Sequence, residues 1–126
     1  MNRYWYGLAG LALLAVMIFG SADYICDLSQ QMETLVDQAE QELETGNKEE
    51  AKFFLLTGQK LWEKERNRLE TLLDHEAIEQ VSSALSEAVA FLKYGKDAHC
   101  AAACHRLLQS LRALRDGQKP HLSNLF

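Results

Sequence analysis

Apolar and small side chains between Thr45 and His75 recur at steps of three and four residues, and this spacing constrains the fold more than any other feature. In a helix with 3.6 residues per turn, such steps place these side chains on one stripe, with charged residues on the other faces. The stripe consists of Ala51, Phe54, Leu55, Gly58, Leu61, Trp62, Leu69, Leu72 and Leu73. Because a helix with one apolar side has to bury it against partners, the stretch predicts a bundle of several helices.

Similar spacing predicts three further helices. We expect helices over Asp23–Glu44, Lys48–Leu73, His75–Tyr94 and Ala98–Arg115. The added stripes are Leu28, Met32, Leu35, Val36, Ala39 and Leu43; Ile78, Val81, Leu85, Ala88 and Leu92; and Cys100, Cys104, Leu107, Leu111 and Leu114. In the first of these helices Glu33 is expected on a flank. One proline and seven glycines argue against a sheet with many turns. The sequence predicts an all-α fold, an antiparallel three- to four-helix bundle.

Glycines and small polar residues mark the predicted turns. Gly46 and Gly95 can adopt the left-handed conformation that ends a helix. Asn47, Asp74 and Asp97 each precede a predicted helix and are expected to cap it.

One internal repeat is visible. Thr45–Ala51 and Tyr94–Cys100 both place a glycine before a charged turn and a small residue five positions later, at a spacing of 49 residues. The spacing is too long for a regular array of tetratricopeptide type. It predicts two similar helical hairpins.

The N-terminal segment is apolar. No residue from Tyr4 to Ala22 is charged, and nineteen helical residues span roughly 28 Å, close to the hydrocarbon thickness of a bilayer. The aromatic residues 4–6 suit the headgroup level, and Arg3 marks the N-terminal side as cytoplasmic. We expect a membrane anchor over residues 1–22 and an extracytoplasmic helical domain over residues 23–126.

Two alternatives remain open for this segment. Gly20, Ser21 and Ala22 form an acceptable cleavage site, so the segment could be a signal peptide and the domain secreted. The segment could also be a core helix, although such helices rarely lack charge for so long.

The charge balance excludes one class of function. The chain has 18 acidic and 13 basic residues, a formal charge of −5. Arg3 is the only charged residue before Asp23, so the domain has 12 basic and 18 acidic residues, a balance of −6. A nucleic-acid binder needs a basic face, so no nucleic-acid partner is expected.

Cysteine and histidine cluster between His99 and His105. Cys100 and Cys104 share a helix face and a histidine flanks each, so a soft-metal site is conceivable. Both cysteines, however, occupy stripe positions where a thiol acts as a small apolar group. The flanking histidines point apart, so we expect core packing and no metal site. Cys26 is the odd third cysteine, without a pattern for acylation.

The junction Asp74-His75-Glu76 with Glu79 is the second candidate. His75 and Glu79 lie one turn apart and could share a cation, as in half of a zincin helix. The second histidine of that motif is missing, so capping by Asp74 is the simpler interpretation.

Other features predict structure and not chemistry. Trp62 lies on the core stripe, and a run of acids reads as a solvated face without the spacing of a calcium loop: Glu40, Glu42, Glu44, Glu49 and Glu50. There is no phosphate-binding loop and no nucleophile elbow. We therefore expect no catalytic residue, no cofactor and no enzyme.

The ordered motifs resemble a known family. They are the apolar N-terminus, the turn at Glu44–Ala51, Leu61-Trp62, the junction Leu72–Glu76, the turn at Tyr94–Asp97 and the ending Pro120–Phe126. This order resembles domain of unknown function 4363, a family of small proteins of spore-forming Gram-positive bacteria and their relatives. The resemblance implies the helical fold and the membrane location. It implies no catalytic residue, because the family has no assigned activity.

These features predict a non-enzymatic interaction or scaffold module held at a membrane. It would bind a protein partner, or a second copy, through a helical groove or through the tail residues Leu122, Leu125 and Phe126. The alternative is a metal- or redox-responsive sensor that uses Cys100 and Cys104 with the nearby histidines. A hydrolase centred on His75 and Glu79 is a third hypothesis.

Overall fold

A computed structural model describes residues 2–117 of the chain, and the described residues form four α-helices without a strand. The helices are α1 (Asn2–Glu44), α2 (Lys48–Leu72), α3 (His75–Lys93) and α4 (Asp97–Gly117). Side chains are described for residues 7–13, 20 and 22–117. The all-α prediction is confirmed.

The helices form one four-helix bundle. Each helix packs against its two neighbours in the ring α1–α2–α3–α4, and within the described part of the chain the backbones of the diagonal pairs lie farther apart. Short turns join the helices, so neighbours run antiparallel. The bundle therefore consists of two helical hairpins, α1–α2 and α3–α4, as the sequence predicted.

The core lies along the predicted stripes. Fully buried side chains come from all four helices and include Met32, Leu55, Ile78 and Leu107. Leu72 departs from the prediction: its side chain is 39% exposed where α2 ends. The placement of Glu33 on a flank was wrong, because Glu33 is only 7% exposed and faces α4.

The two turns that close the hairpins are alike. Gly46 has a φ of 83° and Gly95 a φ of 72°, which is the left-handed region that favours glycine. Behind Gly46, the Asn47 amide donates to the Glu42 carbonyl at 2.8 Å; behind Gly95, the Lys96 amide donates to the Phe91 carbonyl at 2.8 Å. This bonding pattern closes each helix with a Schellman motif.

Asn47 and Asp74 occupy the predicted N-cap positions of α2 and α3, but their side chains make no capping hydrogen bond. The Asn47 amide group donates to Glu42 at 2.9 Å and makes no hydrogen bond to the start of α2. Asp74 occupies the N-cap position of α3 without a capping hydrogen bond from its side chain. Asp97 is already the first residue of α4, and its carboxylate lies 3.2 Å from the ammonium of Lys48.

Helix α1 is longer than the bundle. Its 43 residues run without a break, and among its described side chains the first buried one is that of Ile25. Before that point Leu8, Leu11 and Leu13 are 62%, 65% and 64% exposed. Within the described part of the chain, none of the helices combines the length and the hydropathy that a membrane crossing requires.

Several predictions fall outside the described residues. The side chains of residues 1–6, 14–19 and 21 are among those not described. The anchor and its cleaved alternative rest largely on them and stay predictions. The tail with Leu122, Leu125 and Phe126 also lies outside the described range.

Candidate functional site

The first turns of α4 separate the cysteines from the histidines. Cys100 and Cys104 are fully buried, and the Cys100 thiol donates to the Ala88 carbonyl of α3 at 3.2 Å. His99 and His105 are exposed. The structure therefore brings the two thiols together in the core and leaves the imidazoles at the surface.

The hydrogen bond between the two buried thiols shifts their pKa values in opposite directions and lowers that of Cys100. The pKa of the Cys104 thiol is raised by its hydrogen bond with Cys100 and further by burial. Only the thiolate is a good nucleophile or metal ligand. Among the described residues, no three His, Cys, Asp or Glu side chains are arranged to hold a metal ion. This geometry favours the packing interpretation of both cysteines.

The junction before α3 does not form a catalytic pair. The His75 side chain is 79% exposed, and its Nε2 lies 3.7 Å from a Glu79 oxygen. The same oxygen accepts a hydrogen bond of 3.0 Å from Arg66 of α2. Glu79 is thus engaged in a surface ion pair, and among the described residues no third group orients the imidazole.

Trp62 belongs to the core, as predicted. Its side chain is 2% exposed, and the indole N–H donates to the hydroxyl of Ser82 on α3 at 2.8 Å. The polar tip of the ring is therefore satisfied inside the bundle. Trp62 joins α2 to α3 and presents no free face to a ligand.

Sequence reasoning missed a polar contact between α1 and α4. Glu33 accepts hydrogen bonds from Arg112 at 3.3 Å and Arg115 at 2.8 Å. One turn before Glu33, the Ser29 hydroxyl donates to the Leu111 carbonyl at 2.6 Å. The available signal was the pair of arginines three residues apart, which share one face of a helix.

A second polar cluster lies where α1 enters the bundle. The Tyr24 hydroxyl donates to the Glu65 carboxylate, and the Arg68 guanidinium lies 5.2 Å from the centre of the Tyr24 ring. Burial, with the bond to Glu65, raises the pKa of Tyr24 to about 12. The cluster joins α1 to α2.

Two grooves lie at the end of the bundle that carries the glycine turns. The first, between α2 and α3, has a volume of about 180 Å³. We call it the basic groove, and it is lined by Lys52, Leu55, Leu56, Val89, Leu92 and Lys93. Its floor is apolar and a lysine stands on either side.

The second groove lies between α1 and α4 and has a volume of about 400 Å³. We call it the acidic groove, and it is lined by Glu40, Leu43, Glu44, Asp97, Ala98, Ala101 and His105. Burial, followed by the nearby charge of Asp37, raises the pKa of Glu40. The acidic groove thus concentrates negative charge on a partly apolar surface.

Neither groove pairs a nucleophile with an oriented base. Both combine apolar side chains with charges at the edge, the pattern of surfaces that contact other proteins. The basic groove and the acidic groove are therefore the candidate site of this chain.

Comparisons with known proteins place the chain in a family. No curated protein and no solved structure matches it. The family model described as domain of unknown function (DUF4363) matches residues 19–125. The match begins within the apolar N-terminal stretch and extends over all four helices of the bundle. The chain belongs to the DUF4363 family.

Proposed function

We propose that the protein is a non-enzymatic interaction module that a membrane anchor holds at the cell surface. In this proposal residues 1–22 cross the membrane with the N-terminus in the cytoplasm. The bundle lies outside and binds a protein partner through a helical face.

The observation that carries the proposal is the unbroken course of α1. Ile25 is its first buried residue among the described side chains, and the helix continues towards the N-terminus with Leu8, Leu11 and Leu13 exposed. Exposed leucines on a helix that extends away from its own core favour an apolar environment outside the bundle. The absence of charge from Tyr4 to Ala22 suits the interior of a bilayer.

The absence of a convergent polar site supports the non-enzymatic part of the proposal. Within the described residues, the groups suggested by the sequence lie apart, with buried thiols, exposed imidazoles and Glu79 engaged by Arg66. Catalysis requires such groups to meet around one reacting atom. The grooves offer contact surface instead.

The test is to solubilise tagged full-length protein from its native membrane in a mild detergent. Proteins that remain bound in stoichiometric amounts are then quantified. We expect either one dominant partner protein or a homo-oligomer. The protein is also crosslinked in the intact membrane before solubilisation. If it still elutes as a monomer with no other protein bound in stoichiometric amount, the proposal is contradicted.

A further inference from the structure

The two hairpins repeat each other at the spacing of 49 residues. Ala39 and Ala88 stand 49 positions apart and are both fully buried, and so are Ala51 and Cys100. Gly46 and Gly95 share the left-handed conformation. The pair Lys48 and Asp97 occupies equivalent positions, and the two side chains contact each other at 3.2 Å.

This repeat relates the two grooves to each other. Because the four helices form a ring with alternating direction, half a turn about the bundle axis takes the positions of α1 and α2 to those of α3 and α4. Adding or subtracting 49 takes Lys52 to Ala101 and Lys93 to Glu44. The basic and acidic grooves are therefore equivalent surfaces on opposite sides of the bundle.

The basic groove and the acidic groove carry opposite charges. Lysines flank the groove between α2 and α3, whereas carboxylates line the groove between α1 and α4. Within the described residues, neither Lys52 nor Lys93 lies within 4.0 Å of a carboxylate oxygen. A second copy of the chain offers each lysine a complementary surface.

We propose that copies of this chain associate side by side, with the basic groove of one bundle against the acidic groove of the next. This inference rests on the proposed function and names its partner. In this arrangement α2 of one copy faces α1 of the next, and α3 faces α4.

The heights of the charges along the bundle agree with this arrangement. Gly58 lies opposite Met32 and Leu35, so Lys52, six residues earlier, is level with residues 38–41 of α1. Glu40 stands at that height. Two copies that sit side by side in one membrane therefore bring Lys52 next to Glu40 of the neighbouring copy.

The second pair of helices gives the same result. Cys100 lies opposite Ala88, and Arg106 lies opposite Glu87. Lys93 is therefore level with residues 95–100 of α4, where Asp97 stands. One buried oxygen of Asp97 has no hydrogen-bond donor within the described part of the chain. The other oxygen pairs with Lys48, and the Asp97 side chain is 43% exposed, so a lysine of a neighbouring copy can approach this carboxylate from solvent.

The geometry also sets the form of the assembly. Each bundle uses two different surfaces, so the contact is heterologous. Since the surfaces lie on opposite sides, successive copies extend as a row and do not close as a dimer. Anchors at the same end of every bundle would keep the row in the plane of a membrane. They would also raise the effective concentration of each bundle for its neighbours.

A zero-length carbodiimide crosslinker tests the contact, because it joins a lysine to a carboxylate only when the two groups touch. Full-length protein in liposomes is treated at low ionic strength, and crosslinked peptides are identified by mass spectrometry. We expect a ladder of dimers and higher species, with Lys52 joined to Glu40 and Lys93 joined to Asp97 between copies. Higher salt should reduce the ladder.

Charge reversal gives the decisive comparison. Variant one carries Lys52→Glu, and variant two carries the complementary change Glu40→Lys. Each alone should give at least fivefold less crosslinked dimer, whereas an equal mixture should recover to within twofold of the native protein. The matched control, Lys60→Glu, changes an exposed lysine that does not line the groove and should keep the ladder.

Circular dichroism on each variant checks that the bundle remains helical. If each charge-reversed variant alone forms as much crosslinked dimer as the native protein, the proposed contact is wrong. It is also wrong if mixing the two variants does not restore the crosslinked dimer. Absence of a ladder together with another stoichiometric protein overturns this inference and leaves the proposed function standing. If neither a ladder nor another stoichiometric protein is found, both this inference and the proposed function are overturned.

Discussion

Glu33 shows how one charged residue can determine the packing of two helices. Its carboxylate is buried on α1 and meets Arg112 and Arg115 of α4, whose side chains are 50% and 28% exposed. A buried carboxylate is tolerated only when it is paired and hydrogen-bonded. The contact fixes the register of α1 against α4 more specifically than apolar packing does.

Replacing Glu33 by Gln tests this role. The substitution keeps the shape but leaves the arginines without their anion, so the free energy of unfolding should fall by about 1.5–3 kcal/mol. Chemical denaturation measures the change. Asp27→Asn, an exposed acid on the same helix, is the control and should change stability by less than about 0.5 kcal/mol. Equal effects of the two substitutions on stability would contradict a stabilising role for the contact of Glu33 with the two arginines.

Tyr24 predicts a specific dependence on pH. Its pKa is raised to about 12 from an ordinary value of 10.0, so the folded state favours the neutral phenol. The stabilisation is fully present below pH 10 and is lost as the pH rises towards 12. Denaturation at several pH values should show a steeper loss for the native protein than for Tyr24→Phe. The other titrating groups are common to both proteins, and parallel curves would show that Tyr24 titrates normally.

At the scale of the elements, the sequence predicted the helices better than their ends. The stripes of apolar residues predicted the four helices and the left-handed glycines because burial and φ act locally. Asn47 and Asp97 look like caps in sequence, yet each side chain finds a stronger partner, Glu42 for the first and Lys48 for the second. Glu42 is a local partner, five residues before Asn47, whereas Lys48 becomes a neighbour of Asp97 only after folding.

Two glycine substitutions separate turn geometry from helix propensity. Gly46→Ala places a side chain at a φ of 83° and should lower the free energy of unfolding by about 1 kcal/mol. At Gly58 a Cβ would meet Met32 at an ordinary contact distance of 3.7 Å. Gly58→Ala should therefore raise stability by about 0.5–1 kcal/mol, because alanine favours the helix. Thermal unfolding measures the change in stability for both variants. If both changes have the same sign, Gly46 and Gly58 do not have the different roles assigned to them here.

At the scale of the whole molecule, the candidate site was only partly predictable. The sequence suggested a helical groove for a partner and the two-hairpin repeat. It did not indicate which faces carry opposite charge, since Lys52 and Lys93 come from different helices and meet only in the folded bundle. The same limit applies to Glu33, whose arginines are about 80 residues away in the sequence.

The most direct test of the account is whether the apolar part of α1 holds the bundle in a membrane. Membranes from cells that produce the native chain are extracted with alkaline carbonate, and the retained protein is quantified and its N-terminus sequenced. Leu11→Arg with Leu13→Arg places two charges in the uncharged stretch, at a cost of about 2.5–3.5 kcal/mol each near a bilayer centre. Phe53→Arg with Tyr94→Arg changes two exposed residues of the bundle, 62% and 72% exposed, and serves as the control.

We predict that the native chain and the control stay in the membrane with an intact N-terminus, and that the variant at Leu11 and Leu13 is released. Release of the native chain, or retention of all three proteins alike, would contradict the account.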